Sequence, residues 1–210
     1  MIKIQNLHKT YRARKSLLLR GEEEAVFNGL NIEIPLNSFT AIIGLNGSGK
    51  TTLFKILSGY TSFDSGSILI KGNNYKDYLN NNKVFLVSSE DRSFYYRLTL
   101  IQNLKFFVTL FDINISQKDI DEKLIFLGLY EKKDHFYYEL STGMKQKLSL
   151  IRALLVKPDI LILDEIERGV DKIMTEKIFN HLSNLKNTTI IYSTHQQHLI
   201  DKANYIIKLK

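Results

Sequence analysis

The sequence predicts an α/β protein with a mainly parallel β-sheet, and three observations support this fold class. Short apolar runs alternate with helical patterns before about residue 90 and after about residue 157, as in strands joined by crossover helices. A glycine-rich segment, residues 44–52, lies between one such run and a helical stretch. Residues from about 90 to 157 are mainly helical in pattern. We therefore expect one domain over residues 1–210 with a helical subdomain at about residues 90–157.

The composition is that of an ordinary globular protein. Of 210 residues, 44% are hydrophobic and 24% are charged, which is enough for a substantial core. The N-terminus lacks the apolar core of a signal peptide, and no apolar run approaches the roughly 20 residues of a membrane span. These observations predict a cytoplasmic protein. The sequence has no cysteine, so disulfides and cysteine-ligated zinc or iron–sulfur centres are excluded from it.

The formal net charge of +7 comes mostly from dispersed lysine and arginine residues. A local basic cluster within residues 12–20 is followed directly by Glu22, Glu23 and Glu24. Because acidic residues adjoin the cluster, it predicts a charged surface loop over residues 12–25, and no nucleic-acid partner is expected. A basic protein also suits the neighbourhood of an anionic membrane surface.

The individual strands and helices follow from local patterns, taken in chain order. Residues 2–7 and 30–34 alternate apolar and polar side chains, as half-buried strands do. Residues 39–43 are almost entirely apolar, as a buried parallel strand is. Ser116 is expected to cap a helix, because Asp119 stands three residues later, where a capping box places its acid. The other expected elements are strands at residues 67–70, 84–87, 159–165 and 189–193, a surface helix or loop at residues 73–83, and a helix capped by Thr99.

The glycine-rich segment, GLNGSGKTT at residues 44–52, matches the phosphate-binding pattern G-x-x-x-x-G-K-[ST] in the strand–loop–helix context that this pattern requires. Its glycines allow successive N–H groups to surround phosphate oxygens at a helix N-terminus. Lys50 is expected to reach the β- and γ-phosphates, and the Thr51 hydroxyl to ligate Mg²⁺. The alternative is a connection that is glycine-rich by chance. The loop residues assigned to ATP are Asn46, Gly47, Ser48, Gly49, Lys50, Thr51 and Thr52.

A second part of the site follows two later strands. Asp164 and Glu165 end a buried strand, where a carboxylate can complete the Mg²⁺ shell beside the phosphate loop. Asp164 suits the metal, and Glu165 is placed to act as general base towards the attacking water. The alternative is an acidic turn. His195 ends the next strand and can hydrogen-bond the γ-phosphate, although a histidine at a strand end is more often a capping or surface residue.

Residues 140–148, LSTGMKQKL, resemble the LSGGQ-type signature of ATP-binding-cassette (ABC) ATPases, in the LSTGM form found among bacterial exporters. The phosphate loop, signature, Asp164-Glu165 pair and His195 occur in the family's order, so the resemblance covers nearly the whole chain. It implies the ABC ATPase fold, a P-loop NTPase-type parallel sheet with an antiparallel β portion and an inserted helical subdomain. The implied substrate is ATP, with Mg²⁺.

The resemblance also implies roles for residues that patterns alone leave open. In the family two cassettes pair head to tail, and Ser141 and Gly143 of one would bind the γ-phosphate held by the other. Tyr11 would stack on adenine, and Asp171 would lie in a loop that crosses the interface. His195 would be the switch histidine that holds Glu165 and the water in line.

Three departures from the family pattern stand out. Glu90 occupies the position where the family usually has a glutamine that senses Mg²⁺ and touches the membrane subunit, and a glutamate there can still ligate the metal. The segment Ile166-Glu167-Arg168 replaces the usual Pro-Thr-Ser. Thr142 replaces the first glycine of the LSGGQ signature, as exporter variants tolerate.

The resemblance predicts an ATPase that powers export through a separate membrane-spanning permease subunit, as a homodimer or paired cassette, at the inner face of the cell membrane. The segment DRSFYYRLT at residues 91–99 is similar to a variant in bacterial exporters. Alternatives are an ABC importer ATPase, or a soluble ABC ATPase acting on ribosomes or DNA; the latter usually has two cassettes or long coiled coils. An inert nucleotide-binding protein is a further alternative. The chain stops soon after its last expected strand, so no C-terminal regulatory domain is expected.

Overall fold

The structure, a computed structural model, describes residues 1–14, 20–88 and 93–210, so Glu90 lies outside the described residues. Within these ranges the strands are β1 Ile2–Arg14, β2 Arg20–Ile34, β3 Phe39–Ile43, β4 Ser65–Ile70, β5 Asn73–Asn74, β6 Val84–Ser88, β7 Ile160–Asp164, β8 Thr189–Ser193 and β9 Tyr205–Lys208. The helices are α1 Lys50–Leu57, α2 Tyr75–Asn81, α3 Leu100–Leu110, α4 Gln117–Phe126, α5 Thr142–Val156, α6 Lys172–Ser183 and α7 Gln197–Ile200.

The main sheet is parallel, with strand order β6-β7-β8-β3-β9. All side chains of β7 and β8 are buried, which explains their continuous apolar sequences, because helices cover both faces of such sheets. The carboxyl ends of parallel strands meet at one edge, where ligands bind in open α/β sheets. The loops after β3, β7 and β8 therefore converge there, and the predicted α/β class is confirmed.

The second sheet is antiparallel, with order β2-β1-β4-β5. The expectation of a surface loop over residues 12–25 is wrong for the described part of that segment, because β1 extends to Arg14 and β2 begins at Arg20. Tyr11 pairs with Glu24 and Arg12 with Glu23. Arg12 Nε lies 2.6 Å from Glu23 Oε1, and opposite charges across a strand pair favour pairing. The described part of the polar run therefore lies on two paired antiparallel strands.

Helices α3, α4 and α5 fall within residues 90–157, as expected. Both predicted caps are present: Thr99 forms a capping box with Gln102, and Ser116 forms one with Asp119. The Ser116 hydrogen bonds lower the pKa of Asp119. Helix α5 is mostly buried and packs against α3, α4 and β6. It therefore joins the helical segment to the parallel sheet, although the division into subdomains stays a prediction.

An aromatic group fixes the strands that carry the site. The rings of Phe39 in β3 and Tyr192 in β8 lie 4.5 Å apart, and Phe179 of α6 meets both edge-on. All three side chains are buried, and such ring pairs add to the stabilisation from buried area. Within the described ranges, no helix combines the length and the apolar character needed to cross a membrane.

Candidate nucleotide-binding site

The loop between β3 and α1 has a backbone that requires glycine. Gly49 has φ of +91°, and a Cβ built on it would lie 2.6 Å from a ring atom of Phe27. Gly47 also has positive φ. Both observations explain glycine at these positions, because other residues adopt this conformation only under strain. The loop therefore turns tightly into α1, with backbone N–H groups at the helix N-terminus.

The polar groups of this loop fit a phosphate. The buried Lys50 ammonium donates to the carbonyl oxygens of Gly44 at 2.7 Å and of Leu45 at 3.0 Å. Ser48 Oγ is buried and has no hydrogen-bond partner among the described residues. A buried hydroxyl without a partner is unfavourable, whereas phosphate oxygens would satisfy it together with Lys50 and the N–H groups. Asn46 is exposed at the rim, and Thr52 is half-buried on the first turn of α1.

Asp164 lies between two hydroxyl groups. It accepts a 2.7 Å hydrogen bond from Thr51 Oγ1 at its Oδ2, and a 2.6 Å bond from Ser193 Oγ at its Oδ1. The Thr51 and Asp164 oxygens are the hard ligands that Mg²⁺ prefers, and Mg²⁺ commonly takes few protein ligands because substrate phosphates and water supply the rest. The residues present thus fit Mg²⁺. The structure places these two predicted residues together.

Glu165 is the next residue after β7 and has φ of 50°. Its backbone N–H donates to Ser193 Oγ at 3.2 Å, and its Oε1 lies 3.1 Å from Nε2 of His195. A non-glycine residue with positive φ costs free energy and is found mainly where surrounding structure holds it, often at functional sites. The structure therefore brings the predicted base and the predicted histidine into contact.

Two residues of the site, Ser193 and Arg168, were not predicted from the sequence. Ser193 binds both Asp164 and Glu165, and the signal for it was its place at the end of β8, in register with Asp164. Arg168 Nε lies 2.9 Å from Oε2 of Glu165. Arg168 and Glu165 also line the cleft beside the phosphate loop, which has a volume of about 230 Å³. The remaining lining residues are Asn46, Thr51, Lys55, Leu86, Ser88 and Asp164.

The signature segment packs against the loop that follows Glu165. Ser141 is exposed and caps α5, accepting a hydrogen bond from the Met144 N–H at 3.3 Å. A Cβ on Gly143 would lie 1.9 Å from the Gly169 carbonyl oxygen. Glycine is thus required at position 143, because any side chain there would collide with the Gly169 carbonyl oxygen. Asp171 caps α6.

Tyr11 lies on β1 and is 42% exposed. The Lys9 ammonium lies 5.0 Å from the centre of its ring, as a cation–π contact does. The neighbouring strand β2 contributes Phe27, which adjoins Gly49 in the phosphate loop. The exposed ring of Tyr11 is therefore available to stack on a nucleotide base, and the adenine contact stays a prediction.

These features define a P-loop nucleotide-binding domain of the α/β class. The sequence profile of the ABC transporter family matches residues 27–167. The lantibiotic transport ATP-binding protein SrtF of Streptococcus pyogenes is 32% identical over 100% of this chain and 88% of its own length. The bacitracin transport ATP-binding protein BcrA of Enterococcus faecalis is 32% identical over 93% of this chain and 61% of its own length, so this chain spans less than two thirds of that relative.

The chain is also similar to the methionine import ATP-binding protein MetN 1 of Staphylococcus epidermidis, with 29% identity over 96% of this chain and 60% of the relative. Among solved structures, the dimeric structure of the bacterial ABC transporter cassette MJ0796 superposes with a TM-score of 0.85 at 24% identity, covering 100% of this chain and 94% of that one. The chain belongs to the ABC transporter family. It is an ATP-binding domain of that family and an ATPase.

Proposed function

We propose that this chain hydrolyses Mg-ATP to power export through a separate membrane-spanning permease subunit. The observation that carries the proposal is the arrangement at the sheet edge: the Thr51–Asp164 pair at 2.7 Å adjoins the Glu165–His195 pair at 3.1 Å. The first pair fits a metal and the second fits a base with its orienting group. Both pairs lie beside the phosphate loop, which supports hydrolysis of a nucleotide bound there.

In this proposal, the loop residues bind the triphosphate. The N–H groups from Gly47 to Thr51 surround its oxygens, and the Lys50 ammonium leaves the carbonyl groups of Gly44 and Leu45 to face the β- and γ-phosphates. Thr51 and Asp164 would hold Mg²⁺, which would supply positive charge to neutralise the phosphates. Tyr11 stacks on adenine, for which an exposed ring on β1 is suitable.

Glu165 then activates the attacking water. Its carboxylate accepts the water proton at an oxygen facing the cleft, as a general base does. His195 at Oε1 limits the rotation of that carboxylate and faces the γ-phosphate position. Ser193 fixes the Glu165 backbone through the 3.2 Å hydrogen bond. The reaction therefore depends mainly on positioning, as phosphoryl transfer generally does.

A second cassette would complete the site. Ser141 is exposed at the N-terminus of α5, and a helix N-terminus attracts anions. We propose a head-to-tail homodimer or paired cassette in which Ser141 and Gly143 bind the γ-phosphate held by the partner. The dimeric state named for the similar cassette MJ0796 supports this arrangement.

Support for export comes from relatives named for bacitracin and lantibiotic transport, together with the exporter-like segment at residues 91–99. A relative named for methionine import supports the alternative direction. Export and import move substrate in opposite directions across the membrane of inside-out vesicles, in which the ATPase faces the outer solution. We expect ATP-dependent accumulation of labelled bacitracin or lantibiotic inside such vesicles, absent with Lys50→Ala, whereas ATP-dependent release of preloaded methionine would indicate import.

The partner is tested by affinity capture of the Glu165→Gln variant from its own cells, in detergent with Mg-ATP, followed by mass spectrometry. We expect a polytopic membrane protein in near-equal amount, and a smaller amount of it with the matched Lys50→Ala, Glu165→Gln double variant, whose ATP binding should be weaker because Lys50 is lost. Recovery of ribosomal proteins or nucleic acid without a membrane protein would replace the transport proposal with the soluble alternative.

A further inference from the structure

Glu167 is a buried acid in the loop after β7. Its exposed fraction is 8%, and its Oε1 accepts a hydrogen bond of 2.5 Å from Oγ1 of Thr194. Its Oε2 is buried without a hydrogen-bond partner among the described residues. Acidic side chains are rarely buried to this extent without a strong reason. The proposed reaction gives Glu167 no direct role, so its burial calls for a separate explanation.

Thr194 links Glu167 to the backbone on the far side of His195. Its hydroxyl donates to Glu167 and accepts the N–H of Gln196 at 3.1 Å. A threonine hydroxyl that binds backbone two residues ahead forms a local turn. The conformation of the chain around His195 therefore depends on a hydroxyl that Glu167 holds in place.

Two contacts thus join the loop after β7 to the loop after β8. Glu165 meets His195 in the cleft, where the histidine side chain is 52% exposed. Glu167 meets Thr194 beneath it, where both residues are buried. Exposed pairs hold geometry weakly, whereas a buried polar pair resists opening because separation leaves desolvated groups unsatisfied. The buried contact is therefore the stronger of the two.

We infer that Glu167 is a positioning residue that, through Thr194, holds His195 and Glu165 in reach of each other for ATP hydrolysis. This inference rests on the proposed function of Glu165 and His195. Glu167 acts through its neighbour and touches neither nucleotide nor water. Its effect belongs to the rate of the chemical step, because the residues that bind ATP lie on the phosphate loop.

The side chain needs an acceptor for Thr194 and does not need a charge. Burial raises the pKa of Glu167, and the charge of Glu165 also raises it, whereas the bonds to Thr194 and to its own backbone and the charge of His195 lower it. A glutamine at this position keeps an acceptor oxygen at nearly the same volume, whereas a leucine of similar size removes it. The two substitutions therefore separate the hydrogen bond from packing.

The experiment compares Glu167→Gln, Glu167→Leu and Thr194→Val in the full chain, with Glu122→Gln as a surface control. ATPase kinetics give kcat and KM, binding of a fluorescent ATP analogue gives affinity, and thermal unfolding reports folding. We expect Glu167→Leu and Thr194→Val to lower kcat by at least tenfold with KM and affinity within about twofold of the original protein. Glu167→Gln should keep kcat within about threefold, and the Leu/Val double variant should be no slower than either single variant.

The inference is overturned if Glu167→Leu and Thr194→Val keep kcat, or if their losses multiply in the double variant. Equal losses in kcat and in ATP affinity would also overturn it, since they indicate general disruption. If Glu167→Leu does not fold, the kcat of Thr194→Val tests the positioning role in its place. Glu165→Gln, assayed alongside, tests the proposed function itself: if it retains full turnover, the assignment of the base fails, whereas loss there with full activity in Glu167→Leu refutes only the positioning role.

Discussion

Arg168 Nε lies 2.9 Å from Oε2 of Glu165, the carboxylate oxygen that His195 does not contact. Both oxygens of the proposed base are therefore engaged, one by a guanidinium and one by an imidazole. A carboxylate bound in this way has less freedom to accept a proton from water. The Arg168 contact thus competes with the geometry that hydrolysis requires.

Removing Arg168 should raise the basal ATPase rate. Its side chain is 67% exposed, and exposed ion pairs are weak, so we expect an increase of at most about fivefold for Arg168→Ala. Steady-state ATPase assays at low and high salt measure it, and the difference should shrink in high salt because screening weakens the pair. Lys172→Ala removes an equal charge from the start of α6 as a control. A tenfold loss of activity would show that the guanidinium assists the reaction.

Lys50→Ala should weaken ATP binding by about 10- to 100-fold, because a charged hydrogen-bond donor to the phosphates is lost. The same substitution removes the donor to the carbonyl groups of Gly44 and Leu45, so the free protein should lose about 1–3 kcal/mol of stability. Titration with a fluorescent ATP analogue measures the affinity. Lys76→Ala, on the exposed surface of α2, is the matched control. Unchanged turnover would refute the placement of the phosphates.

Glu165→Gln should retain ATP binding and lose turnover by more than 100-fold, because an amide cannot accept the proton from water. Without hydrolysis, the ATP-bound pair should accumulate. Sedimentation in saturating Mg-ATP measures the dimer, and the same run with ADP serves as the reference. A monomer in ATP, with or without the permease subunit, would count against the head-to-tail arrangement.

Gly143→Ala should destabilise the fold, although alanine normally favours a helix over glycine. The new Cβ would lie 1.9 Å from the Gly169 carbonyl oxygen, and overpacking of this kind costs about 1–3 kcal/mol. A lower Tm in calorimetry is the expected result. Thr142→Ala, at the adjacent exposed position, should leave the Tm unchanged or raise it. An increase with Gly143→Ala would mean that the two loops are not packed together.

Glu167→Gln should stabilise the protein increasingly as pH rises. Because the pKa of Glu167 is raised in the folded state, the neutral acid is favoured there, and its contribution is complete below the ordinary pKa and lost as pH rises through the raised one. The groups acting on it are Glu165, His195 and Thr194. Calorimetry from about pH 4, below the ordinary pKa of 4.5, to about pH 8 should show a growing difference in Tm between variant and original, with Glu122→Gln showing no such trend. A constant difference would contradict the shift.

The order of elements and the phosphate loop could be predicted from sequence because each depends on local pattern. The strand before Gly44 is apolar, the helix after Gly49 is periodic, and the capping boxes at Thr99 and Ser116 are read within four residues. The prediction that Asp164 and Glu165 stand at the end of a strand depended equally on local sequence. These predictions needed no knowledge of how the strands are ordered.

The contacts of Ser193, Glu167 and Arg168 needed more than local pattern. Ser193 reaches Asp164 because β7 and β8 are parallel neighbours in register. The local sequence of a strand does not indicate which strand lies beside it in the sheet, so this contact could not be predicted. Arg168 reaches Glu165 across a turn whose positive φ no sequence rule assigns to glutamate. The extension of β1 and β2 was missed because the basic cluster within residues 12–20 and the acidic residues that follow it were interpreted as a loop.

The tight approach of Gly143 to Gly169 has a consequence for how two cassettes would communicate. Gly143 faces the nucleotide of the partner in the proposed pair, and Gly169 stands four residues after Glu165 in its own chain. A phosphate bound or lost at one site would therefore shift the backbone that carries the base of the other site, with no intervening side chain to absorb the movement. Hydrolysis at one site would then be coupled to the geometry of the base at the other.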